Sequence, residues 1–168
     1  VDHSALEATV VRLVDKTLAG FEKLRIHDGR SVQADIRANL ALMKQHMKKI
    51  MARTKNSVPD LRAQLQKKLE KIVGREVDRT MLITEAGILA AKTDINEELS
   101  RLESHIRLFE TTMKLAEPVG RTLDFVSQEM NREVNTIGSK QADFAIAEHV
   151  VLLKSLLEKI REQIRNVE

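Results

Sequence analysis

Apolar residues recur along this chain at steps of three and four, the period of a helix with a single buried stripe. From Val32 the stripe reads Val32, Ile36, Leu40, Met43, Met47 and Ile50, and after a gap it resumes as Leu61, Leu65, Leu69 and Ile72. Between the two lies Lys55-Asn56-Ser57-Val58-Pro59-Asp60, which predicts a turn with Pro59 in the first turn of the next helix. The pair predicts a helical hairpin over 32–73, stopped near Gly74. Upstream, Ser4 with Glu7 forms a capping-box pattern that starts a first helix, and Gly29 is expected to interrupt or bend it. Downstream, a helix is expected over Asp78 to Lys92, and Asp94 with Glu97 reads as the cap of another. The seam of that helix is Ile95, Leu99, Leu102, Ile106, Phe109 and Met113, and Glu117-Pro118 ends it. Val119, Leu123, Val126, Met130 and Val134 line the next helix, followed by an expected loop at 135–140. The last helix has the cleanest pattern, alternating four and three through Ile146, Val150, Leu153, Leu157, Ile160, Ile164 and Val167.

A helix with one apolar stripe is marginal alone in water, so each stripe needs a partner helix or a second subunit. The expectation is an all-α fold: an elongated antiparallel helical bundle with a protruding basic helical hairpin and a heptad-patterned C-terminal helix. It would form one all-helical domain over 1–168, with the hairpin at 32–73 and a candidate site region at 94–140.

Composition narrows the function. The 168 residues contain no Cys, no Trp, no Tyr and four Phe. Disulfides, thiolate metal sites and a Cys nucleophile are thereby excluded, and aromatic platforms for single-stranded nucleic acid are not expected. No apolar run is long enough to span a membrane, and the first residues do not form a signal peptide. Net charge is only +3, but its distribution is uneven. Arg37 to Arg79 holds twelve Lys/Arg against four Asp/Glu, so the hairpin region is basic and the rest mildly acidic. Such a region either draws a polyanion or is a solvated helix face, and charge alone leaves both open.

Two polar stripes run beside the apolar seams. Asp94, Glu98, Arg101 and His105 share one helix face, as do Asp124, Gln128, Arg132 and Asn135, with Glu129 and Glu133 as a neighbouring i, i+4 pair. On antiparallel neighbours these stripes would line one cleft. Carboxylates there suit a hard divalent cation, Arg suits phosphate oxygens, and His105 has the pKa range of a general acid or base. The plainer readings are a helix cap at Asp94 and Glu97 and a surface ion-pair lattice at Glu129, Arg132 and Glu133. His3, His27, His46 and His149 show no ligand spacing. Gly138-Ser139-Lys140 lacks the context of a phosphate loop.

The segment Gly120-Arg-Thr-Leu-Asp-Phe-Val-Ser-Gln-Glu-Met-Asn-Arg-Glu-Val-Asn-Thr-Ile-Gly-Ser-Lys140 resembles the signature of the YicC/YloC family of bacterial proteins, described as endoribonucleases. Thr93 to Ile106 resembles a second family block, and Leu157 to Glu168 the usual family terminus. The resemblance covers nearly the whole chain, most specifically Asp94 to Lys140. It implies a cytoplasmic, divalent-metal-dependent (Mn²⁺ or Mg²⁺) RNA-cleaving protein that assembles as a homo-oligomer, a hexamer being one expectation with the N-terminal domain present. Members carry such an additional N-terminal domain, so this chain is expected to be the C-terminal region. Val126-Ser127 departs from the two leucines common in the family. Under this reading Glu98, Glu129 and Glu133 hold the metal. His105, Glu129, Arg132 and Glu133 serve catalysis. Arg101 and Lys140 hold the scissile phosphate, and Lys44, Lys48, Lys49, Arg53, Lys67, Lys68 and Lys71 track the RNA backbone. The alternative is a non-catalytic helical module for oligomerisation or RNA clamping.

Overall fold

A computed structural model describes the backbone at 3–73, 84, 87–89, 91–141, 143–165 and 167, and the side chains of these residues except 3–5, 55–66 and 68–73. Four helices dominate: α1 (His3–Val73), α2 (Asn96–Thr112), α3 (Gly120–Lys140) and α4 (Phe144–Ile164). Residues 84, 87–89 and 91–93 are also helical, and the described residues contain no strand. Most of the helix expected over Asp78 to Lys92 lies outside the described residues. The chain divides into two units, Val1–Ala38 and Asn39–Glu168.

In the second unit α2, α3 and α4 pack antiparallel in succession, and the part of α1 after residue 39 completes an up-down-up-down bundle. Cross-helix contacts fix the directions. Lys44 of α1 meets Glu110 near the end of α2, and Arg53 of α1 meets Asp143 at the start of α4. Glu98 near the start of α2 meets Lys140 at the end of α3. The seams expected from periodicity form the core: Leu40, Met43, Met47 and Ile50 on α1; Ile95, Leu99, Leu102, Ile106 and Phe109 on α2; Leu123, Val126, Met130 and Val134 on α3; and Ile146, Val150, Leu153, Leu157, Ile160 and Ile164 on α4. Val32, Met113, Val119 and Val167 are only half-buried, and the side chains of Leu61, Leu65, Leu69 and Ile72 lie outside the described residues.

Three boundaries differ from the sequence expectation. First, α1 is continuous through Gly29 and through 55–60, so the two arms of the expected hairpin are parts of one helix. A proline removes one N–H, but its φ near −65° is itself helical. The flanking Ala52, Arg53, Leu61, Arg62, Ala63, Gln64 and Leu65 include many strong helix formers, which favour continuation over a turn. Second, α3 runs on to Lys140 through the expected loop. Ile137 extends the seam of Met130 and Val134 and is fully buried. The hydroxyls of Thr136 and Ser139 donate back to the carbonyls of Arg132 (3.1 Å) and Thr136 (3.0 Å), which lets these loop-prone residues stay helical. Third, α2 begins at Asn96, and Glu97 does not return a capping-box bond. Asp94 Oδ1 accepts from the Asn96 N–H at 2.9 Å, while Glu97 pairs with Arg101.

Gly138 sits where α3 and α4 approach closely. A Cβ built on it would lie 3.0 Å from Val150 Cγ1. Ser127 is fully buried, and its Oγ donates to the Asp124 carbonyl at 2.7 Å, so the buried hydroxyl is not left unpaired.

The first unit is helical from His3. One face of it, Leu6, Val10, Leu13, Val14, Leu18, Phe21 and Leu24, is at least half exposed at every position. The Arg25 guanidinium lies over the Phe21 ring, 5.9 Å from its centroid. The Ser4 side chain lies outside the described residues, so the expected capping box is not among the described contacts.

Candidate functional site

The seam between α2 and α3 carries several of the charged residues that the sequence singles out between Asp94 and Lys140. Antiparallel packing brings the start of α2 against the end of α3. Glu98 is buried on α2, and its Oε1 accepts from Lys140 Nζ at 2.7 Å. The same ammonium donates to the Asp94 carbonyl at 3.1 Å. Hydrogen bonding to Glu98, reinforced by the negative charges of Glu98, Glu97 and Asp94, holds the Lys140 pKa above its ordinary value. Glu133 is buried on α3, and Arg101 of α2 lies 3.8 Å from its Oε1 while pairing more closely with Glu97. Asp94, Glu97, Glu98, Arg101, Glu133 and Lys140 therefore form one cross-helix cluster. Gln141, one residue on, donates from Nε2 to the Thr93 carbonyl and ties the end of α3 to the turn before α2. Sequence reasoning passed over that contact because it runs through a backbone carbonyl.

The cluster has an internal imbalance. Glu98 Oε2 is buried and has no hydrogen-bond donor. An ionised carboxylate so placed is costly unless something satisfies its free oxygen. A cation is one such group, and Glu98 and Glu133 are the two buried acids of this seam. Glu129 lies one turn before Glu133 and is half-buried. Among the described residues, no three His, Asp or Glu side chains converge closely enough to hold a metal as they stand. Among the described residues, a cation here would therefore find at most two such side chains together, its other ligands having to come from elsewhere.

The other expected site residues are placed less centrally. His105 is half-buried on α2, and Arg132 is exposed on α3. Of the stripe Asp124, Gln128, Arg132 and Asn135, Gln128 bonds within it to Asp124 at 2.8 Å, and Gln128, Arg132 and Asn135 are exposed. The α3 face turned to α2 is instead the one carrying Glu133 and Lys140. Of the basic residues expected to track RNA, Lys44 and Arg53 are committed to ion pairs. Lys44 Nζ donates to both Glu110 oxygens at 2.7 and 2.8 Å, and Arg53 Nε to Asp143 at 2.8 Å. Lys48, Lys49 and Lys67 are exposed. Lys68 and Lys71 have side chains outside the described residues.

An all-helical bundle with a mixed acid–base seam between its second and third helices defines the class: a helical domain with charged side chains packed between two of its helices. The comparisons place it more finely. The family described as "Endoribonuclease YicC-like, C-terminal" matches residues 50–168, and the chain belongs to that family. It is 37% identical over 169 residues to a "Probable endoribonuclease YicC" of Clostridioides difficile (strain 630), across 99% of this chain and 58% of that relative. A protein of the same description from Haemophilus influenzae (strain ATCC 51907 / DSM 11121 / KW20 / Rd) is 31% identical over 173 residues, again 99% of this chain and 58% of the relative. The chain thus spans less than two thirds of the length of the curated relatives it matches. Among the described residues, no helix is long and apolar enough to cross a membrane.

Proposed function

We propose that this chain is the C-terminal region of a cytoplasmic, divalent-metal-dependent endoribonuclease that binds RNA and cleaves its phosphodiester bonds. The observation that carries the reading is the α2–α3 cluster, with two buried carboxylates, two cations beside them and one buried carboxylate oxygen lacking a donor. The family membership supports the same activity class. Glu98 and Glu133 would hold the cation, with Glu129 within a turn of Glu133. When bound, the metal supplies charge neutralisation at the phosphate oxygens and a more acidic water. Arg101, Arg132 and Lys140 bind and orient the scissile phosphate, and His105 moves a proton at its imidazole. Lys48, Lys49 and Lys67, with Lys68 and Lys71, follow the RNA backbone by charge and without reading sequence. The exposed apolar face of Leu6 to Leu24 supports assembly as a homo-oligomer, since an isolated helix with such a face is marginal in water.

The second reading, a helical oligomerisation and RNA-clamping module without catalysis, is favoured by the absence of three converging metal ligands among the described residues. One experiment separates the two. Cleavage of a labelled RNA is followed with and without Mn²⁺ for the full-length protein and its Glu98→Gln, Glu129→Gln and Glu133→Gln variants. The nuclease reading expects Mn²⁺-dependent product that Glu98→Gln and Glu133→Gln abolish. Salt-sensitive RNA binding with no product under any metal establishes the clamp instead. Undiminished cleavage by all three folded variants removes the metal assignment.

A further inference from the structure

His46 of α1 and His149 of α4 are distant in sequence and far from any ligand motif, yet their imidazoles meet at the α1–α4 seam. Their Nδ1 atoms are 3.4 Å apart, their ring centroids 5.2 Å apart, and the rings are tilted by 55°. Both residues are half-buried, so water reaches the pair.

Two explanations compete for such a pair. An N–H···N hydrogen bond would prefer a separation of roughly 3.0 Å, and 3.4 Å is long for it. A shared tetrahedral cation sets different distances. Imidazole nitrogens about 2.05 Å from a tetrahedral Zn²⁺ stand roughly 3.35 Å apart, and ring centroids about 1.15 Å behind them stand roughly 5.2 Å apart. Both observed separations match the second geometry.

We propose that His46 and His149 form a two-histidine site for a late first-row divalent cation of the Zn²⁺ class, coordinated through both Nδ1 atoms with water completing the tetrahedron. Imidazole is a preferred donor for these metals, whereas Mg²⁺ and Mn²⁺ favour oxygen. The site therefore differs in chemistry from the carboxylate cluster. It also differs in place, because the α1–α4 and α2–α3 seams are opposite seams of the bundle. Burial first, then the electrostatic influence of neighbouring His149 and Lys49, lowers the proton affinity of His46, while Glu148 raises it. The net effect favours the neutral imidazole that a metal requires. A bound cation links α1 to α4, and because the two ligands come together only in the folded chain, it stabilises the fold.

The test uses the 168-residue chain, stripped of metal by a chelator, with Co²⁺ as spectroscopic probe and Zn²⁺ as competitor. The expected result is one Co²⁺ per chain with the visible d–d bands of tetrahedral coordination, displaced by Zn²⁺. His46→Gln and His149→Gln should each weaken tetrahedral Co²⁺ binding by at least about tenfold, while Lys154→Gln, at an exposed position of α4, leaves it unchanged. Circular dichroism checks that each variant folds, and the wild-type spectrum stands independently of them. A featureless or octahedral spectrum, a stoichiometry well below one, or binding unchanged in both folded histidine variants would overturn the site and leave a proton as all that the two rings share.

Discussion

Replacing Gly138 with alanine is expected to destabilise the bundle, although glycine inside a helix is ordinarily a defect. Two effects oppose each other. Alanine in a helix interior gains about 1 kcal/mol over glycine because it restricts the unfolded chain and suits the helix. Against this, the new Cβ would stand 3.0 Å from Val150 Cγ1. Val150 cannot easily yield: it is buried, β-branched and stiff at χ1, so the strain passes into helix positions. Overpacking of this kind costs about 1–3 kcal/mol, which leaves a net loss of about 1 kcal/mol. Gly29 provides the control, since nothing lies within 4 Å of a Cβ built there. Gly29→Ala should therefore stabilise its stretch of α1 by about 0.5–1 kcal/mol. With no Trp or Tyr in the chain, urea unfolding is followed by far-ultraviolet circular dichroism. The decisive quantity is the cycle with Val150→Ala, which removes the clashing methyl. The two changes should couple favourably by about 1–2 kcal/mol. If Gly138→Ala stabilises the chain as Gly29→Ala does, or shows no coupling to Val150→Ala, the close approach of α3 and α4 at this level is refuted.

Other expectations follow from single contacts. Asp143→Ala removes the N-cap of α4, whose carboxylate accepts from the Ala145 N–H at 2.8 Å, and should cost about 1 kcal/mol in urea unfolding. The hydrogen bond from Arg53, followed in importance by those from the Ala145 and Ile146 N–H groups, holds the Asp143 pKa below its ordinary 3.8. Its contribution to stability is therefore fully present above pH 3.8 and lost as pH falls through the folded value; acid unfolding of Asp143→Asn should lack this component. The raised pKa of Lys140 has the opposite sign, giving stability that is present below 10.5 and lost as pH rises through the folded value, measurable as an alkaline fall in melting temperature that Lys140→Met abolishes. Lys140→Met alone should destabilise the chain more than Glu98→Gln/Lys140→Met does, because only the single change strands a buried carboxylate; equal urea midpoints would contradict this.

Periodicity made the seams of α2, α3 and α4 and of α1 up to Ile50 legible, because burial in a bundle follows the same three-and-four spacing that sequence displays. Boundaries were less legible. Asn135 to Lys140 has loop composition, but the decisive facts are tertiary: Ile137 finds a place in the core, and Gly138 fits beneath Val150. Pro59 and Gly29 likewise weaken a helix without ending it, and only the continuous backbone shows that the helix prevails. For the cross-helix cluster, i, i+3 and i, i+4 spacing placed Glu98 and Arg101 on one face and singled out Glu133, whereas Lys140 entered only through the family resemblance, because its segment reads locally as a loop. The stripe Asp124, Gln128, Arg132 and Asn135 is equally periodic but largely exposed and lies outside that cluster. The commitment of Lys44 and Arg53 to Glu110 and Asp143 has no local signature, because each partner lies on another helix. The meeting of His46 and His149 has none either.

Asp143 serves two neighbours at once. It caps the first turn of α4 through the Ala145 and Ile146 amides and receives the Arg53 guanidinium from α1. Initiation of α4 is therefore coupled to the docking of a helix more than seventy residues earlier in the chain. The first amides of a helix commonly fray and exchange with solvent in small local openings. Here the fraying of one helix end is tied to the seating of another. Deuterium uptake at Ala145 and Ile146 should accordingly slow with the protection of the α1 segment around Arg53, and the two stretches should open as one cooperative element.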